Sequence, residues 1–199
     1  MTATLKHNLR VDPYEYQKEG ILYGLRRRRI LIGDEPGLGK TLQSIGIVDT
    51  ARAYPCLVIC PSSLKINWQR EFEKFTDKKA LVLGNATSTS WPYLLTMGLF
   101  HVAIVNYESL RKYFVCAPKR APFRLRDVVF NSDINIFRSV IIDESHRVKD
   151  PTAQQAIFTR GIVEGKEWRI LLSGTPVVNH AQDLVSQLAI MGRLLSDFG

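Results

Sequence analysis

The sequence predicts an α/β fold with a mostly parallel central sheet and helices on both faces. Three observations carry that prediction. Short apolar runs alternate with longer amphipathic stretches along nearly the whole chain. At least five such strand-then-helix units follow in series, the pattern of a parallel sheet covered on both sides. Polar residues follow directly after the apolar runs: Asp34 after Ile32, Pro61 after Cys60, Asn106 after Val105, Asp143 after Ile142, and Ser173 after Leu172. In a parallel sheet the carboxyl ends of the strands share one rim, where such folds bind ligands.

Residues 14–25 read as a helix with Tyr16, Gly20, Ile21 and Gly24 near one face. The run 30–32 is a short buried strand ended by Gly33. Residues 40–53 show helical spacing at Leu42, Ile45, Val48 and Ala51. The CLVIC run at 56–60 is a strand stopped by Pro61, and Ser62 or Ser63 stands where it can cap a helix over 65–75. A strand at 80–83 precedes a helix at 92–99, and a strand at 101–105 precedes a short helix at 108–113. A strand at 140–142, a helix at 153–163, a strand at 169–172 and a helix at 183–195 complete the series. No clear periodicity marks 115–137, and with the two residues before it this stretch reads as a basic insertion over about 113–137.

The chain has 199 residues, 23% charged and 45% hydrophobic, which is globular and not disordered composition. No run of 18 apolar residues appears, so no membrane partner is expected. MTATLKHNLRVDPYEY lacks the apolar core of a secretory signal. Cys56, Cys60 and Cys116 cannot build a disulfide framework and read as reduced thiols. The expected setting is intracellular: cytoplasm or nucleoid in a bacterium or phage, nucleus in a eukaryote.

Lys and Arg exceed Asp and Glu by 27 to 19, a net charge of +8 that favours a polyanionic partner. Seven basic residues against two acidic ones fall between Arg111 and Arg138, interleaved with Tyr113, Phe114, Phe123 and Phe130. That mixture suits a phosphate backbone, but a solvated surface excursion explains it equally well. Arg26 to Arg29 close a helix, where the macrodipole by itself favours cations.

After strand 30–32 comes Gly33-Asp34-Glu35-Pro36-Gly37-Leu38-Gly39-Lys40-Thr41. The strict phosphate-loop pattern requires glycine where Asp34 stands; Gly37, Gly39, Lys40 and Thr41 remain. The glycines let backbone N–H groups turn toward phosphate oxygens, and the following helix adds its positive end. Lys40 would reach the outer phosphates and the Thr41 hydroxyl would ligate magnesium. The second motif is SVIIDESHRVKD, in which Asp143 and Glu144 stand at a strand end. Adjacent carboxylates there are costly without a cation. With a nucleotide bound upstream, Asp143 would hold magnesium and Glu144 would orient and deprotonate a water. His146 would face the γ-phosphate or the Ser173 segment.

These motifs, in this order, resemble the first RecA-like lobe of superfamily two helicases of the Swi/Snf type. Tyr16-Gln17-Lys18-Glu19-Gly20 is similar to the family's Q motif, in which Gln17 would bond adenine. GDEPGLGKT (33–41) resembles motif I, whose family form also has Asp at the place of Asp34; Glu35, Gly37, Leu38 and Gly39 complete the nucleotide loop. LVICPSSLKINWQREFEKF (57–75) resembles motif Ia, with Pro61, Ser62 and Ser63 at the DNA backbone and Trp68 in its usual place. IVNYESL (104–110) resembles the next motif, which implies that Asn106 and Tyr107 also contact nucleic acid. DESH (143–146) resembles motif II. LLSGTPVVNHAQDLVSQL (171–188) resembles motif III, in which Ser173, Gly174 and Thr175 would couple hydrolysis to movement.

The resemblance implies ATP and magnesium as cofactors, double-stranded DNA as partner, and hydrolysis of ATP to drive movement along DNA. It also implies a C-terminal RecA-like lobe bearing an arginine finger, without which the 1–199 lobe is expected to be nearly inactive. Two alternatives stand beside the DNA translocase. One is another superfamily two ATPase, such as an RNA helicase or a restriction translocase. The other is a non-catalytic nucleic-acid-binding module.

Overall fold

The computed structural model describes residues 5–117, 124–174 and 182–193. Helix α1 (Glu15–Arg27) opens with the Tyr14 N–H donating to Gln17 Oε1 at 3.0 Å, which satisfies a donor that helix geometry leaves open. It buries Gln17, Ile21 and Gly24, and it turns Tyr16 to solvent. Tyr16 thus leaves the face on which the periodicity places it. Strand β1 (Arg29–Ile32) leads through the glycine loop into α2 (Lys40–Thr50), which is buried from Leu42 through Asp49. Next come β2 (Cys56–Cys60), α3 (Lys65–Phe75), β3 (Ala80–Val82), α4 (Trp91–Thr96), β4 (Val102–Asn106) and α5 (Leu110–Phe114). A two-stranded antiparallel ribbon, β5 (Val115–Ala117) with β6 (Val129–Phe130), precedes β7 (Ser139–Ile142). Helix α6 (Gln154–Val163), β8 (Trp168–Leu172) and α7 (Gln182–Met191) follow.

Six strands form one sheet in the order β1-β8-β7-β2-β4-β3, and every pairing is parallel. Strands β2, β4, β7 and β8 are buried along their whole length, so they read as continuous apolar runs without alternation. Alternate residues still divide between the two faces. In β2, Leu57 and Ile59 join Trp91, Phe114 and Phe158 under α4 to α7. Cys56, Val58 and Cys60 join Ile21, Ile45, Trp68 and Phe72 under α1 to α3. Burial pushes the Cys56 and Cys60 thiols up to about 12, so they are inert core residues.

Two expectations need correction. Ser62 and Ser63 do not cap α3: residues Ser62–Leu64 form a 3₁₀ turn, and Leu64 precedes the helix without a side-chain cap. The insertion is also not a purely solvated excursion. Leu125, Val128, Phe130 and Phe137 pack against the core, as do Tyr113 and Phe114 just before the ribbon. Tyr113, Phe114 and Phe130, three of the four aromatics interleaved with the basic residues of this segment, are therefore committed to packing. Phe123, Lys119 and Arg120 lie outside the described residues. Among the described residues, no helix is long and apolar enough to cross a membrane.

Candidate nucleotide and nucleic-acid site

The parallel sheet brings the polar strand ends to one rim. The glycine loop follows β1, Ser173 follows β8, and Asp143 follows β7, on three neighbouring strands. Neighbouring strands lie about 4.8 Å apart, so the loop and the acidic pair are roughly 10 Å from each other across β8.

The loop turns on Gly37 (φ 89°) and Gly39 (φ 76°), both left-handed. At Gly39 a Cβ would stand 2.4 Å from Gln17 Nε2, so glycine is needed there for two reasons. Gln17 donates to the Leu38 carbonyl at 3.2 Å, and the Tyr16 hydroxyl reaches the same oxygen at 3.3 Å. Asp34 accepts from Gln43 Nε2 at 2.7 Å, which ties the start of the loop to buried α2. Glu35, Gly37 and Leu38 are exposed. Lys40 Nζ donates to the Asp34 and Glu35 carbonyls at 2.6 and 3.0 Å. Thr41 stands in the first turn of α2. Gly174 borders the same loop, since a Cβ on it would lie 3.3 Å from Pro36 Cγ and 3.9 Å from Lys40 Nζ. Ser173 is buried beside it, with its N–H on the Ile32 carbonyl at 3.2 Å. Thr175 lies outside the described residues.

Asp143 is gripped from several sides. Its Oδ2 accepts from the Trp68 indole at 2.8 Å and its Oδ1 from the Glu144 N–H at 2.9 Å. Its backbone carbonyl accepts from the Tyr107 hydroxyl at 2.6 Å. Burial raises its pKa and the neighbouring Glu144 adds to that rise, against the Trp68 hydrogen bond and the more distant Lys40 ammonium. A carboxylate whose charge is strained in this way is suited to a cation. Glu144 sits at φ 51°, an uncommon conformation for a non-glycine residue that sets its side chain apart from the strand direction. His146 Nδ1 lies 3.2 Å from Glu144 Oε2, an ion-pair distance outside hydrogen-bond geometry. Ser145 donates to Gln187 Oε1 at 2.6 Å, joining the acidic segment to α7.

On the neighbouring part of the rim, Ser62 and Ser63 are exposed and Pro61 is buried. Asn106 donates to Glu108 Oε2 at 2.7 Å and accepts from Lys65 Nζ at 3.4 Å, while Glu108 also meets Arg147 at 3.5 Å. Tyr107 is 1% exposed, so the structure turns it into the core behind Asp143 and not toward a ligand. Sequence reasoning gave no role to Gln43, Glu108 or Gln187, and none to the Trp68 indole. Apart from Asn106 beside Glu108, their partners lie 9 to 75 residues away along the chain, and no local spacing announces them.

A cavity of about 930 Å³ runs along α1 and β1 and meets the loop at Gly33 and Asp34. Lys40, Asp143 and Glu144 are not among its walls; they stand on the open rim.

Comparisons with known proteins bear on the fold and the family. The fold matches, with a TM-score of 0.73 over the whole chain and 41% of the other, the Sulfolobus solfataricus SWI2/SNF2 ATPase core in complex with dsDNA, at 24% identity. The chain is 32% identical over 190 residues to the human DNA annealing helicase and endonuclease ZRANB3. It is 30% identical over 188 residues to a Caenorhabditis elegans homolog of the SWI/SNF-related matrix-associated actin-dependent regulator of chromatin subfamily A-like protein 1. Each match covers 92% of this chain but only 16% and 24% of those relatives. The family model of the SNF2-related domain matches residues 16–194, which span every motif on the rim. The chain belongs to the SNF2-related domain family.

Proposed function

We propose that this chain is the ATP-binding lobe of a DNA-dependent ATPase that moves along double-stranded DNA. The observation that carries the reading is the gathering of the Lys40 loop, Ser173-Gly174 and the Asp143-Glu144 pair on three adjacent parallel strand ends. The names of the relatives point the same way: one is a DNA annealing helicase, and one solved structure is an ATPase core with duplex DNA.

The residues present fit ATP and magnesium. Among the described residues no three His, Cys, Asp or Glu side chains gather as a metal site. A magnesium ion keeps waters and phosphate oxygens and needs only one or two protein oxygens, which Thr41 and Asp143 would supply. Bound there, magnesium would neutralise charge on the phosphates. Lys40 would exchange its two carbonyl partners for phosphate oxygens, a charge-assisted contact stronger than the one it gives up. Glu144 would hold the attacking water and accept its proton, with His146 beside it. Gln17, already at the loop, would face adenine. Ser62 and Ser63, with Asn106 behind them, would meet the DNA backbone. Ser173 and Gly174, packed on the loop, would sense its occupancy. A C-terminal RecA-like lobe of the same protein would supply an arginine finger.

The test is binding followed by turnover. Lys40→Ala is expected to weaken ATP affinity by at least about tenfold, measured by calorimetry, because it removes the charge facing the phosphates. Joined to the second lobe, the protein is expected to hydrolyse ATP faster with duplex DNA. Stimulation by RNA alone would assign an RNA helicase, and DNA binding without turnover would assign a non-catalytic module.

A further inference from the structure

Both oxygens of the Asp143 carboxylate are held by N–H donors, and the two donors differ in origin. The Glu144 N–H on Oδ1 is local and comes with the turn itself. The Trp68 N–H on Oδ2 arrives from α3, 75 residues earlier in the chain. Trp68 is 1% exposed and its ring lies 6.2 Å from that of Phe72, so the indole is fixed by core packing. Packing alone would be served by phenylalanine; the buried indole N–H needs an acceptor, and it takes this one. The backbone of Asp143 is held in turn by Tyr107. Helix α3 follows the turn that exposes Ser62 and Ser63, and Tyr107 follows Asn106, which Lys65 of α3 contacts. The two segments that grip Asp143 are therefore the two that border the proposed DNA contact.

We propose that Trp68 is a positioning residue, whose indole N–H fixes the Asp143 carboxylate for magnesium and so ties the metal affinity of the rim to the seating of α3. This rests on the ATP-binding reading above. Hydrogen-bond partners of a metal ligand commonly set metal affinity by 10–100-fold.

The chain has three tryptophans, Trp68, Trp91 and Trp168, which makes the experiment direct. In ¹⁵N spectra with a non-hydrolysable ATP analogue present, titrating Mg²⁺ is expected to shift the Trp68 indole signal while those of Trp91 and Trp168 stay in place. Excess EDTA should return it. Signals are assigned through Trp91→Phe and Trp168→Phe, so the measurement does not depend on a Trp68 variant folding. In Trp68→Phe, the Mg²⁺ concentration that half-saturates binding of a fluorescent ATP analogue should rise about tenfold or more. Nucleotide affinity in EDTA should not change. Phe72→Leu, which loosens the same packing but keeps the N–H, should lower the melting temperature and leave the Mg²⁺ midpoint alone. A Trp68 signal indifferent to Mg²⁺, or an unchanged midpoint in Trp68→Phe, overturns the proposal although the ATP reading survives. A wild-type chain that binds no nucleotide at any Mg²⁺ concentration overturns both.

Discussion

Lys166 shows how one side chain can tax the fold without serving the rim. It is 6% exposed at the opposite end of the sheet, just before β8. Burial lowers its pKa, and the nearby positive Arg169 lowers it further. A base whose pKa falls on folding carries its charge at a cost. That cost is present in full below the folded pKa and fades as pH rises through it toward the ordinary lysine value of 10.5. Lys166→Met keeps the aliphatic stem and removes the charge. It should raise the melting temperature at pH 7 by roughly 2–4 °C per kcal/mol recovered, and the advantage should shrink as the pH climbs. Equal or lower melting at pH 7 would show that the amine is not a burden. Lys40 is the contrasting cation. Its charge rests on two carbonyls that phosphate would replace, so its loss should be felt in binding.

At the scale of elements, the β5–β6 ribbon is attached by a contact that only a glycine permits. A Cβ on Gly161 of α6 would lie 2.2 Å from Phe130 Cζ and 3.0 Å from Leu125 Cδ1. The ribbon thus docks by driving an aromatic ring against bare helix backbone. Gly161→Val should displace it, at about 1–3 kcal/mol for overpacking. Hydrogen exchange should quicken across residues 124–130 while ATP affinity holds, because the Lys40 loop rests on α1, α2 and the end of β8. Exchange left unchanged would mean that the ribbon is held by its other contacts. The same docking explains why 115–137 had no legible period. Its described residues form short 3₁₀ turns and two-to-three-residue strands that borrow their order from α5 and α6.

Across the whole molecule the charge is lopsided. The proposed nucleotide rim holds Asp34, Glu35, Glu108, Asp143 and Glu144 against Lys40, Lys65 and Arg147. Among the described residues a group of arginines stands at the other end of the strands. Arg29 and Arg169 are register partners on β1 and β8, and a Cβ at Gly192 would touch both guanidinium groups. Burial, and then Arg29, lowers the Arg169 pKa to about 10. Arg193 reaches the Arg27 carbonyl and Arg138 the Arg52 carbonyl on the same side. The basic balance is therefore a weak guide to where a polyanion sits on this lobe. It predicts self-repulsion instead. Raising NaCl from about 20 to 200 mM should raise the melting temperature of the ligand-free chain, since the shorter Debye length screens the repulsion among these groups. A lower melting temperature in the higher salt would mean that attractive pairs dominate.

By itself, the order of apolar runs and polar strand ends determined the parallel α/β architecture, the shared rim, and the loop and acidic motifs on it. Those features are local, because period, turn residues and motif spacing act over a few residues. Tertiary structure alone decided that Trp68 and Tyr107 hold Asp143, that Gln43 anchors Asp34, and that Tyr107 faces inward. It also decided that Arg29 and Arg169 come together at the far end of the strands. All but the Gln43 contact depend on which strands become neighbours, and the order β1-β8-β7-β2-β4-β3 brings together side chains that no short-range pattern relates.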